Sequence, residues 1–68
     1  MKALGAIHII PVGIDFALKK TGKARAFKRC RSLVDAVLEA SRFYFGGYNL
    51  VIHDKTGAVQ EYKKAILP

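Results

Sequence analysis

The sequence predicts an α+β fold, a single helix packed on a small antiparallel sheet, with elements in the order β-β-(β)-α-β-β. Three observations predict it. Residues 14–20 alternate apolar and polar side chains, residues 33–45 carry one helical pattern with recognisable ends, and residues 48–63 read as a hairpin around an Asp-Lys-Thr-Gly turn. The 68 residues are expected to form a single domain, with no internal repeat or low-complexity segment.

Residues 4–10 are rich in Ile and read as the first strand, closed by Pro11 and Gly13. The short link at residues 11–13 predicts a hairpin to the second strand. In that strand Ile14, Phe16 and Leu18 are expected on one face, with Asp15, Ala17 and Lys19 on the other. Thr21-Gly22 marks the next turn, and residues 24–30 read either as a third strand or as an extended lead-in. Ser32 and Asp35 stand in the spacing of a capping box, with Asp in place of Glu, and Asp35 adds negative charge at the positive helix end. Gly46-Gly47 ends the helix. Around the helix Leu33, Val37, Ala40 and Tyr44 form the expected core stripe, opposite the polar face of Asp35, Glu39 and Arg42. In the last hairpin, Asp54 to Gly57 suits a type I turn with a Gly bulge. Leu50 and Ile52 are then expected to share a face with Gln60 and Tyr62, and His53 to pair near Val59.

The order of these motifs resembles a family of small bacterial proteins of unknown function, the DUF2188 type. The positions that carry the resemblance are His8, Pro11, Ser32, Asp35, Ala36, Leu50, His53, Gly57 and Gln60, across about residues 7–63. Where that family usually has Gly-Trp, this chain has Asp15-Phe16. The resemblance implies the same fold order and no known enzyme activity, and it carries over no ligand or catalytic residue.

The net charge of +7 is concentrated in one segment. Lys19, Lys20, Lys23, Arg25, Lys28, Arg29 and Arg31 lie in a stretch with no acid between Asp15 and Asp35, while the other five basic residues are balanced by the five acids. Such a block attracts anionic partners and says nothing about fold. Phe27 lies within it, so phosphate contact with an aromatic beside it is the expected chemistry: binding of nucleic acid. If residues 24–31 alternate as a strand, Arg25, Phe27, Arg29 and Arg31 share one face.

Other chemistry is less well supplied. His8 and His53 can face outward on neighbouring strands, but a metal site needs three or four ligands and no third is evident. Cys30 reads as a buried small hydrophobe rather than a nucleophile. No carboxylates pair as an acid/base couple, and Gly22-Lys23 lacks the upstream Gly of a phosphate loop. No catalytic residue, metal site or cofactor is therefore expected, and the chain is read as a non-enzymatic module.

One cysteine, no signal-peptide cleavage pattern and no run of about 18 apolar residues favour a cytoplasmic protein without a membrane partner. A chain this short buries roughly 60% of its unfolded surface, and association is one way to complete so small a core. Val34, Leu38 and Phe45 form a second apolar helix flank, which makes a homodimer or an acidic protein partner the alternative expectation. Phe43, Tyr44 and Phe45 cannot all point inward, so part of this cluster is expected at the surface.

Overall fold

A computed structural model describes residues 2–66. Five strands and one helix follow in the order β1 (Ala6–Val12), β2 (Asp15–Lys20), β3 (Lys28–Cys30), α1 (Leu33–Tyr44), β4 (Asn49–His53) and β5 (Val59–Lys63). They form a single sheet of spatial order β3-β2-β1-β4-β5, with α1 between β3 and β4 in the chain. The α+β class and element order are those expected.

The sheet is mixed. Three pairings are antiparallel, whereas β1 and β4 run parallel. The helix is the reason: β3 runs parallel to β1, and α1 carries the chain across the sheet to the far side of β1, where β4 enters in the same direction. Leu50, Val51 and Ile52 are all buried, the continuous apolar pattern of a strand flanked on both sides.

The first turn falls at Gly13-Ile14, because Val12 pairs with Asp15. Gly13 has φ of 62°, as the first central residue of a type II′ turn requires. This corrects the expected placement of Ile14: it sits at the turn tip, 88% exposed, and does not join Phe16 and Leu18. Pro11 is accepted within β1 because pairing with β4 stops at Ile9–Ile52.

On one sheet face Ile7, Ile9, Leu18, Cys30, Leu50 and Ile52 pack beneath Ala36 and Ala40 of the helix. Both alanines are fully buried, and their small side chains let the helix lie close to the sheet. The core stripe is therefore centred on Ala36 and Ala40, with Val37, Phe43 and Tyr44 beside it, and Leu33 is left at the margin. Ser32 caps the helix by accepting a bond from the Asp35 amide at 3.1 Å. Phe45 closes it, and Gly47 at φ of 108° redirects the chain.

The β4–β5 hairpin turns as expected. The Gly57 amide donates to the Asp54 carbonyl at 3.0 Å, and Gly57 takes φ of 90°. His53 pairs with Val59, but a bulge follows, so Ile52 pairs with Glu61 and Val51 with Tyr62. The bulge adds one residue to β5 and reverses its alternation. Glu61 and Lys63, rather than Gln60 and Tyr62, therefore lie on the face of Leu50 and Ile52, and Tyr62 turns to the opposite face. Cys30 is buried in the core, as expected.

Candidate nucleic-acid interface

Helix α1 covers one side of the sheet, and no element among the described residues covers the other. That open face is built by strand alternation. One row across it reads Lys19, His8, Val51, Tyr62, from β2 through β1 and β4 to β5. Arg29 on β3, paired with Ala17, lies beside this row on the same face. A cation, imidazoles and a half-exposed phenol thus share one surface.

The structure divides the basic segment. Residues 24–27 are not strand, and β3 is limited to Lys28–Cys30. Arg25, Phe27, Arg29 and Arg31 therefore do not share a face, which corrects that expectation. Short β3 has alternation for three residues only: Lys28 toward the helix, Arg29 toward the open face, Cys30 into the core. Lys28 reaches Glu39 at 3.1 Å, and Arg42 joins the same carboxylate at 3.3 Å. Glu39 is thus an ion-pair hub and not a solvated surface acid; the hydrogen bond from Lys28 is the main reason its carboxyl titrates below the usual range.

Lys20 is also engaged. Its ammonium lies 5.1 Å from the ring centre of Phe43, 5.7 Å from Tyr48 and 5.8 Å from Phe27. Phe27 meets Phe43 edge to face, ring centres 5.1 Å apart, so it buries one edge against the helix while remaining 43% exposed. The other five cations, Lys19, Lys23, Arg25, Arg29 and Arg31, have no acidic partner within ion-pair distance among the described residues.

The β2–β3 loop is shaped by a turn in which the Lys23 amide donates to the Lys20 carbonyl at 3.1 Å, with Gly22 at φ of 83°. Its far end is tied to the sheet by the Phe27 amide, which donates to the Leu18 carbonyl at 2.9 Å. Between these ties lies an open hollow of about 570 Å³ lined by Lys20, Lys23, Ala24, Arg25, Ala26 and Phe27. It offers an apolar floor with cations at its rim, a combination that suits a flat ring carrying a phosphate.

The two histidines do meet. His8 Nδ1 and His53 Nε2 are 2.8 Å apart, His8 Nε2 is 3.0 Å from Thr21 Oγ1, and His53 Nδ1 is 3.1 Å from the Gly57 carbonyl. Thr21 is the member that sequence reasoning missed; the β1–β2 register, which sets its amide against the Ala6 carbonyl, is the signal that places it beside His8. Among the described residues no group of three or more His, Cys, Asp or Glu side chains is arranged to hold a metal ion.

Burial, and then the charge of His53, push the His8 pKa below its ordinary value of 6.5. Unfolding therefore takes up protons when the pH falls past that value, because the unfolded imidazole accepts a proton that folded His8 resists. The stability contributed by neutral His8 is complete above about pH 6.5 and is lost as the pH falls from there through the folded pKa. Thermal unfolding between about pH 5 and pH 8 should show a midpoint that drops on acidification in the wild type and drops less in His8→Asn. Equal slopes in the two proteins would contradict this role for His8.

Val34, Leu38 and Phe45 stand out from the helix at 68%, 63% and 70% exposure. No helix among the described residues is long and apolar enough to cross a membrane. Compared with known proteins, the chain matches no family model, no curated protein and no solved structure.

Proposed function

We propose that this protein is a small non-enzymatic nucleic-acid-binding module that grips the phosphate backbone with Lys19, Lys23, Arg25, Arg29 and Arg31. One observation carries the reading: five cations of the basic segment are left without acidic partners among the described residues, Lys19 and Arg29 on the open sheet face, Lys23 and Arg25 in the adjoining loop and Arg31 in the link to the helix, while Lys20 and Lys28 are engaged by the protein itself. Phosphates that replace water around unpartnered cations release condensed counterions, which drives binding without reading sequence. Phe27 in the loop hollow and Tyr62 on the open face supply flat surfaces on which an unpaired base can stack.

Titration of a labelled duplex and of the matching single strand at several salt concentrations tests this. Five phosphate contacts give a slope of log affinity against log salt of about −4.5 for duplex and about −3.5 for single strand. Absence of binding at low salt overturns the reading.

A second reading is favoured by the exposed flank of Val34, Leu38 and Phe45, which can dock a second copy of the chain or an acidic protein. Sedimentation across a wide concentration range separates the two: a dimer supports docking of a second copy, and a monomer throughout removes it.

A further inference from the structure

The arrangement of His8, His53 and Thr21 follows a direction. The Gly57 carbonyl can only accept, so Nδ1 of His53 carries the hydrogen and its Nε2 is left as an acceptor when the ring is neutral. His8 must then donate to it from Nδ1, which leaves His8 Nε2 as the acceptor facing the Thr21 hydroxyl. Every polar atom of the neutral pair is satisfied in this one tautomeric arrangement.

The same chain has room for one more proton. Thr21 Oγ1 also lies 3.3 Å from the Ala6 carbonyl. When His8 Nε2 takes a proton from solvent, it becomes a donor to Thr21 Oγ1, and the hydroxyl hydrogen turns to the Ala6 carbonyl. The bond between the rings is retained, and the charge is shared across two imidazoles. A second proton has no such place. It would put N–H groups on both facing nitrogens, 2.8 Å apart, and abolish their bond.

We propose that the histidine pair is a one-proton site on the open face, and that its charging strengthens phosphate binding there; the second half of this proposal rests on the nucleic-acid reading above. The neighbours decide the sign. Lys19 on β2 lies directly opposite His8 and Arg29 on β3 shares the face, while Asp15, the carboxylate that β2 turns to this face, stands at the hairpin end opposite Val12 and bonds to neither imidazole, so a charge on the pair is disfavoured in the free protein. From β5 the face receives Tyr62. Asp54 follows His53 and keeps its charge, but its Oδ1 is held within its own turn by the Thr56 amide at 2.9 Å, the Thr56 hydroxyl at 2.6 Å and the Ala58 amide at 3.1 Å, and it bonds to neither imidazole. Lys55 in the same turn adds positive charge, and the helix lies on the other side of the sheet. A phosphodiester brought in by Lys19 supplies the missing negative charge, so binding and proton uptake favour each other.

The test is affinity for the labelled duplex at constant salt from about pH 8 to about pH 5.5, with wild type, the His8→Asn/His53→Asn double variant, and Thr21→Val. Wild-type affinity should rise roughly fivefold on acidification, with a slope of log affinity against pH no steeper than −1. The double variant should match wild type at the alkaline end and show no rise. Thr21→Val, an exposed change that removes the acceptor for the charged imidazole while leaving the fold intact, should shift the rise to lower pH. Duplex binding that is independent of pH in the wild type overturns the proposal alone. A slope approaching −2 overturns the one-proton site, since it shows two histidines titrating separately. No binding at any pH overturns both this proposal and the nucleic-acid reading.

Discussion

Replacing Lys19, Arg25 and Arg29 together by Gln will weaken binding of a labelled duplex by about two to three orders of magnitude at about 0.1 M salt. Counterion release sets the size of the loss: three lost phosphate contacts reduce the salt slope by about 2.7, and the affinity difference grows as salt falls. None of the three side chains has an acidic partner among the described residues, and none belongs to the core, so circular dichroism should be unchanged. Removing three positive charges from a chain of net charge +7 also relieves self-repulsion, so a loss of folding is not the expected route to lost binding. A triple variant that binds within about threefold of the wild type, with an unchanged salt slope, would show that phosphates are held elsewhere.

Leu18→Ala will cost about 2–5 kcal/mol, the range for emptying a buried Leu site that cannot fully collapse. Leu18 is fully buried on β2, between Ile9 on one neighbouring strand and Lys28 on the other, within the cluster beneath Ala36 and Ala40. Domains are stable by roughly 0.05–0.15 kcal/mol per residue, which for this length is about 3–10 kcal/mol in total. The variant therefore loses a large share of its stability and populates unfolded chains at 37 °C. Val59→Ala is the internal control: Val59 is 57% exposed on a strand the helix does not reach, so its loss should stay under about 1 kcal/mol. Urea denaturation of both variants checks the pair, and equal losses would contradict the placement of the core under the helix.

How much of this was legible in the sequence differs by element. The helix ends were fully written, because Ser32, Asp35 and Gly47 act through local backbone chemistry that needs no partner. The Asp54 to Gly57 turn was legible for the same reason. The face of Tyr62 was not, since one bulge residue in β5 reverses every later side chain and nothing local announces it. The parallel pairing of β4 was half legible: Leu50, Val51 and Ile52 form an unbroken apolar run, the mark of a strand flanked by neighbours on both sides.

The site shows the same division. That residues 19–31 hold the whole net charge is a matter of composition. Which charges remain available is a matter of tertiary contacts: Glu39 takes Lys28 from a helix eleven residues downstream, and Phe43 and Tyr48 take Lys20 from farther still. The histidine pair shows this most clearly. His8 and His53 lie 45 residues apart, and only the parallel β1–β4 register sets them within hydrogen-bonding distance.

The measurement that bears hardest on the proposed interface compares two variants that each remove two positive charges from the same segment. Lys19→Gln/Arg29→Gln strips the open face, and Lys20→Gln/Lys28→Gln strips side chains already engaged by aromatic rings and by Glu39. If placement governs binding, the first variant lowers the duplex salt slope by about 1.8 and the second leaves it close to that of the wild type. Equal reductions in both would contradict the open face as the binding surface and leave only net charge as the cause.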